Sequence, residues 1–455
     1  VTRVKQQFHC RDCGATQLKW SGQCGACESW NTLEEISVQA APPASSRFQS
    51  FGGQRSSVLS LAKVVPERED RMTSGIAELD RVLGGGVVPG SVVLIGGDPG
   101  IGKSTLLLQS LGKMSELPGI APLYVSGEES AAQIALRAER LKLDAAALHL
   151  LIETDVDIII EIARKQKSRL IVVDSIQAVY CAELSSAPGS VAQVRESAAR
   201  LVRFAKSSNT AVYLVGHVTK DGALAGPRVL EHMVDAVLYF EGDHAGRYRL
   251  IRAFKNRFGA VNELGVFAMS DQGLREVSNP SAILLSRHEE VVAGSVVLVS
   301  WEGTRSLLVE VQALVDDSVL GNPRRVTVGL DNNRLSMLLA VLHRHGGIAT
   351  ASCDVFANIV GGIRISETGA DLAILCAVVS SLKDRPLSRD LAVFGEVGLA
   401  GEIRPVQNGT ERLAEAAKQG FKRAIVPAAN VPKKYRGRLE IVPVTRLAQA
   451  LEALN

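Results

Sequence analysis

The sequence predicts an α/β protein with a central parallel sheet, a small metal-binding module ahead of it and an α+β region behind it. Three observations carry this prediction. Between residues 73 and 222, short apolar runs alternate with helical stretches, the pattern of a parallel sheet covered on both faces, in a domain placed at 72–278. One such run, Val92 to Ile95, leads into Gly97-Asp98-Pro99-Gly100-Ile101-Gly102-Lys103-Ser104, which fits G-x-x-x-x-G-K-[ST] at every defined position. Four of the seven cysteines lie within the first 27 residues, as two C-x₂-C pairs.

Length and composition set the bounds. A chain of 455 residues accommodates about three domains at ~150 residues each. The hydrophobic share of 46% and charged share of 22% are those of a globular protein, and a net charge of +3 leaves any nucleic-acid site to local patches. No uninterrupted apolar run reaches about 18 residues, and Arg3 and Lys5 precede no apolar segment. The expectation is a cytoplasmic protein with neither export signal nor membrane anchor.

The first element, residues 1–36, contains Cys10, Cys13, Cys24 and Cys27. Two such knuckles can close one tetrahedral S₄ site, for which Zn²⁺ is the default metal. So short a segment buries little core, so metal would supply the folding energy. A thioredoxin-like redox pair is the competing reading, although redox motifs occur singly within a βαβ unit. Trp20 and Trp30 are expected to cover the site, with a stacking surface as the alternative. Cys181, Cys353 and Cys376 are scattered and read as inert core residues. Residues 37–71, rich in Ser, Pro, Ala and Gln, read as a linker.

Order resumes at Thr73-Ser74-Gly75, and Gly84-Gly85-Gly86 and Pro89-Gly90 punctuate the approach to the P-loop strand. In the P-loop, Gly97, Gly100 and Gly102 allow the backbone to bend around phosphate and turn its N–H groups inward. The following helix contributes the positive end of its dipole. Lys103 reaches the β/γ-phosphates and the Ser104 hydroxyl ligates Mg²⁺. The nucleotide-binding set is Gly97, Asp98, Pro99, Gly100, Ile101, Gly102, Lys103, Ser104 and Thr105, and the cofactors are ATP and Mg²⁺.

Helix is expected from Ser104 to about Met114, then a strand at Ala121–Ser126 ending in Gly127-Glu128-Glu129-Ser130, and helix to about Leu141. The run Leu170–Val173 ends in Asp174, which fits the strand-end carboxylate that holds Mg²⁺. The next residue is Ser175 rather than Glu, so the base that orients the attacking water comes from elsewhere. Glu128 is favoured; Glu129 is the alternative, or a solvated helix N-terminal residue. A long helix at Val191–Ser207 precedes the strand Ala211–Val215 and Gly216-His217. His217 reads equally as a γ-phosphate sensor and as a histidine satisfied at a strand end.

The order of these motifs resembles the RecA-type core, and more closely the RecA/KaiC branch, through TSGIAELDRVLGGGVVPGSVVLIGGDPGIGKST and YVSGEES. Lys255-Asn256-Arg257-Phe258-Gly259 narrows the resemblance to the RadA (Sms) family of bacterial DNA repair proteins. That resemblance implies that Lys255 or Arg257 reaches a neighbouring subunit's γ-phosphate as a trans-acting cation; a solvated basic loop is the alternative. It also implies that the loops at Cys181–Ser190 and Asp221–Val229 line a central channel. There Lys220 and Arg228 would contact DNA phosphates, with Arg195, Arg200 and Arg203 nearby, unless these are ordinary surface cations.

Beyond residue 279 the apolar runs Val291–Val299 and Ser306–Ala313 suggest strands, with helices at Leu335–His343, Asp371–Leu382 and Thr410–Gln419. FGEVGLAGEIRPVQNGTERLAEAAKQGFKRAIVP resembles the end of the Lon protease domain. Alignment to that pattern puts Gly369 at the Ser position and Thr410 at the Lys position, so residues 279–455 read as a Lon-like fold without proteolysis. Arg324-Arg325 and the Lys433–Arg438 cluster are candidate DNA contacts, with ordinary surface charge favoured. The leading function is an ATP-driven motor on single-stranded and branched DNA. A hexamer and partnership with recombinase or replication-fork proteins follow from the resemblance alone. An ATP-dependent peptidase and a KaiC-like scaffold without DNA are the alternatives.

Overall fold

The computed structural model describes residues 5–10, 16–17, 20–25, 29–38, 70–144, 148–217, 227–241, 248–285, 291–318, 321–435 and 437–454. The chain forms two compact units, Val1–Val64 and Val65–Asn455. In the first, Lys5–Cys10 is the middle strand of a three-stranded antiparallel sheet, flanked by Thr16–Gln17 and Leu33–Val38. The last strand runs two residues past the expected module limit at 36. Trp20 is 60% and Trp30 69% exposed.

The second unit contains a nine-stranded sheet. Its order across is Gly273–Glu276, Leu264–Ser270, Tyr248–Asn256, Ala236–Glu241, Val92–Gly96, Ala211–Val215, Leu170–Asp174, Pro122–Ser126 and His149–Ile152. From Ala236–Glu241 to His149–Ile152 every pairing is parallel. The P-loop strand is buried throughout because helices cover both faces of the sheet. One face packs Leu106, Leu107 and Leu111 of the helix Lys103–Ser115; the other packs Val156, Ile159, Leu201 and Phe204. The strand His149–Ile152 and the helix Val156–Gln166, capped by Asp155, join the pattern read from sequence.

The central parallel sheet is as expected, and at one side it continues into an antiparallel ribbon. Tyr248–Asn256, Leu264–Ser270 and Gly273–Glu276 pair antiparallel. Their connections are too short for the crossover that parallel strands require, and hairpins are the available link.

A second, seven-stranded sheet has the order Arg325–Val328, Cys353–Ile359, Arg305–Asp317, Ser295–Glu302, Leu391–Val393, Arg423–Pro427 and Glu440–Val444. Its first long strand begins at Ser295 rather than Val291, because Gly294 turns the chain at φ +85°. The next extends over Arg305–Asp317, and the helix expected at Leu335 begins at Asn332, where Asp331 accepts the Arg334 N–H as an N-cap. Helices Asp371–Leu382 and Gly409–Lys418 lie as expected to within a residue.

The two sheets share one core. Leu250, Leu264 and Val266 of the antiparallel ribbon pack with Val296, Leu298 and Leu308 of the second sheet. Buried charges are paired across the same seam. Arg305 makes two bonds to Glu78, at 3.1 and 3.0 Å, and Arg252 joins Glu302 and Glu241. Such pairs fix geometry, and breaking one leaves a buried charge uncompensated.

Candidate nucleotide site

The P-loop strand ends at the carboxyl edge of the parallel sheet, where ligands bind in open α/β folds. The loop needs glycine at Gly97 and Gly102. Their φ values are +146° and +118°, and an added Cβ at Gly97 would stand 2.8 Å from the Phe240 Cβ. The helix Lys103–Ser115 starts without a side-chain cap, so its first N–H groups are left to an anion. Lys103, 4% exposed, donates from Nζ to the Gly97 and Asp98 carbonyls at 2.8 Å each. Burial lowers its pKa against the opposing pull of Asp174, Asp98 and Glu128.

A cleft of about 310 Å³ opens over this loop, lined by Pro99, Gly100 and Gly102 to Thr105 together with Glu128, Asp174 and His217. Asp174 accepts the Tyr124 hydroxyl at 2.5 Å, which fixes the carboxylate at the cleft. Burial, together with Asp174, pushes the Tyr124 phenol far up, so it keeps the proton that it donates to Asp174. The residues fit MgATP: a glycine turn, a buried lysine, a hydroxyl and a carboxylate converge at an uncapped helix N-terminus.

Two adjacent glutamates separate cleanly. Glu128 accepts a short hydrogen bond from the Ser175 hydroxyl and lies 3.5 Å from His217 Nε2. The His217 hydrogen bond, opposed by burial and aided by Ser175 and Lys103, lowers its pKa. Glu129 is engaged by Arg137, which binds both its oxygens at 2.6 and 2.7 Å. Ser175, the residue after Asp174, thus holds Glu128 from the neighbouring strand end. Arg137 and Arg140 also line the cleft and were not legible as pocket residues. The signal available was the capping box Ser130/Gln133, which fixes the start of their helix.

Known proteins bear on this geometry. DNA repair protein RadA of Pseudomonas aeruginosa PAO1 is 62% identical over 454 residues, covering 100% of both chains. The chain belongs to the RadA family. Its namesake in Escherichia coli K12 is 57% identical, covering 99% of this chain and 98% of that one, and in Bacillus subtilis 168 the figure is 46% with 99% of each. Family models match an AAA domain at residues 60–223, a Lon protease (S16) C-terminal proteolytic domain at 361–455 and a rubredoxin metal binding domain at 8–35.

Other candidate residues of this RadA-family chain lie elsewhere. Lys255 donates to the Glu231 and Val234 carbonyls at 2.5 and 2.7 Å, and burial lowers its pKa. Arg257 is 56% exposed and pairs with Asp235 at 3.1 Å. Neither lines the cleft. Asn256 bonds the Val82 carbonyl, and Gly259 abuts Gly84 so closely that a Cβ would meet its Cα at 2.6 Å. Lys220 lies outside the described residues, and Arg228 is described only as part of the short helix Pro227–Glu231. Arg200 is engaged by Asp157, Glu183 and Glu196, while Arg195 is exposed. Arg324 is held by Asp354, and Arg325 by the Cys353 and Thr350 carbonyls.

At the Lon-like positions, Gly369 lies in the turn Thr368–Ala370 and Thr410 is exposed in the helix Gly409–Lys418. The space beside Gly369 is filled by an ion pair. An added Cβ would meet Glu367 Oε2 at 3.0 Å and Arg412 at 3.4 Å, and Arg412, 1% exposed, binds both Glu367 oxygens. In the cysteine module, Cys24 is buried within the turn closed by Cys24 N–H to Ser29 and Asn31 N–H to Gly22. Cys10 ends the first strand; Cys13 and Cys27 lie outside the described residues. Four thiolate donors in two knuckles are a donor set suited to Zn²⁺. No helix among the described residues is long and apolar enough to cross a membrane.

Proposed function

We propose that the protein is an ATP-driven DNA motor. It would work as a cytoplasmic ring, six-membered by family resemblance, that hydrolyses MgATP on single-stranded and branched DNA and promotes branch migration in recombination and repair. The observation that carries this reading is Glu128, held by Ser175 and His217 over a P-loop in a RadA-family chain. Residues 72–278 are the motor core and 279–455 a ring-forming, proteolytically silent domain. Residues 1–36 hold Zn²⁺ through Cys10, Cys13, Cys24 and Cys27, and 37–71 link the module to the core.

In this reading Gly97 to Thr105 hold the nucleotide, with Lys103 on the β/γ-phosphates. Ser104 and Asp174 hold Mg²⁺, which supplies charge neutralisation at the phosphates. Glu128 orients the attacking water and stays ionised because His217 and Ser175 bond it. Lys255 and Arg257 complete a neighbour's site; the support is that neither lines its own cleft. Lys220 and Arg228 meet the DNA backbone, and recombinase or replication-fork proteins are the protein partners. The Glu367–Arg412 pair beside Gly369 argues against a peptidase.

The test is anisotropy of labelled single-stranded DNA with a non-hydrolysable ATP analogue at moderate salt. Binding that weakens with salt and needs nucleotide is expected. No binding in nucleotide would remove the motor reading and leave the scaffold.

A further inference from the structure

The antiparallel ribbon at one side of the first sheet lies under the P-loop. Arg249, 5% exposed on the strand Tyr248–Asn256, donates from Nε to the carbonyl of Ile101 inside the P-loop at 3.1 Å. Ile101 is itself 1% exposed and does not line the cleft, so this carbonyl is held on the ribbon side of the loop. Other ribbon residues close on the same loop. A Cβ on Gly102 would meet the Met269 Cε at 3.1 Å and the Leu274 Cδ1 at 3.2 Å. The helix after the P-loop is fastened to the last ribbon strand by a reciprocal pair, Gln109 Nε2 to the Leu274 carbonyl at 3.3 Å and the Leu274 N–H to Gln109 Oε1 at 3.0 Å.

The other side of the ribbon belongs to the C-terminal domain. Three residues beyond Arg249, Arg252 is 5% exposed and bonds Glu302 of the strand Ser295–Glu302, Glu241 at 2.8 Å and the Arg364 carbonyl at 3.1 Å. Leu250 and Leu264 are buried in the C-terminal core. One strand thus carries a buried guanidinium into each of two regions.

We infer that Arg249 is a positioning residue of the nucleotide site, and that its strand passes support from the C-terminal domain, through Arg252 and Glu302, to the P-loop backbone. A buried carbonyl that loses a charged donor is left unsatisfied, and the loop can relieve that only by moving. The consequence is weaker nucleotide binding, with the hydrolytic groups Glu128 and Asp174 untouched. This rests on the reading of the cleft as a nucleotide site.

The experiment measures the Kd of a fluorescent ATP analogue with Mg²⁺, together with kcat and KM for ATP, on the full chain. Arg249→Met is expected to raise Kd and KM roughly five- to tenfold, with kcat changed less than about twofold. Glu302→Gln is expected to raise KM in the same direction by about two- to threefold, and the double variant by no more than Arg249→Met alone. Ile159→Ala, in the core on the far face of the sheet, supplies a variant of lowered Tm and is expected to leave KM in place. Should Arg249→Met fail to fold, Arg249→Lys, which keeps the charge but lacks the Nε–H, takes its place with the same expectation. An unchanged Kd in the Arg249 variants, or an equal change in Ile159→Ala, overturns the positioning role. Additive effects of Arg249→Met and Glu302→Gln overturn the transmission through the strand. If the wild-type chain binds no nucleotide, the reading of the cleft itself fails instead.

Discussion

At Glu128, hydrogen bonds from His217 and Ser175 favour the ionised carboxylate while partial burial resists it, and the bonds win. Its neighbour Glu129 is committed to Arg137. Glu128→Gln should therefore bind nucleotide as the wild type does but hydrolyse it about 10²- to 10³-fold more slowly. Glu129→Gln should cost far less, and the comparison is a single-turnover assay on both variants. The direction of the pKa shift gives a second prediction. A carboxylate held below its ordinary pKa stays a base until the pH falls below the usual glutamate range, so the acid limb of hydrolysis lies low. His217→Ala removes the largest lowering influence, and the acid limb should move to higher pH. A pH–rate profile whose acid limb stays in place would assign that limb to another group.

Among the elements, the P-loop and its strand were legible because every residue that matters is adjacent in sequence and each glycine has a backbone reason. Glu128 and Asp174 were legible because strand ends on one edge of a parallel sheet converge. What was not legible depends on contacts distant in sequence. Nothing local says that Tyr124 holds Asp174, that Ser175 holds Glu128, or that Arg137 faces the cleft. The antiparallel ribbon escaped the reading because its strands carry the same apolar pattern as parallel ones, and only their short connections set the direction. In the Lys255–Gly259 segment, Asn256 and Gly259 are scaffolding: Gly259 meets Gly84 backbone to backbone. Gly259→Ala forces a Cβ into that contact and should destabilise the protein by ~1–3 kcal/mol, read as a lowered Tm. Arg257→Ala removes an exposed guanidinium from the buried Asp235, which Lys206 and the Val92 N–H still hold, so Tm should fall only slightly.

For the molecule as a whole, the first and second sheets of the Val65–Asn455 unit share a core and paired charges, so the Lon-like region is joined to the ATPase through its interior. With Gly369 and Thr410 at the Lon positions and Arg412 filling the space beside Gly369, the protein should not cleave casein. Cleavage abolished by a substitution in residues 279–455 would contradict that. If Lys255 serves a neighbour's site, mixing Lys255→Ala with Glu128→Gln protomers should restore part of the ATPase through hybrid interfaces; no recovery at any ratio would count against it. Steady-state ATP hydrolysis with and without single-stranded DNA, run beside Glu128→Gln, decides whether this P-loop site is a DNA-coupled ATPase with Glu128 as its base. A rate that rises with DNA and is lost in Glu128→Gln is expected; a rate indifferent to DNA, or one that survives the substitution, would overturn that role for the site.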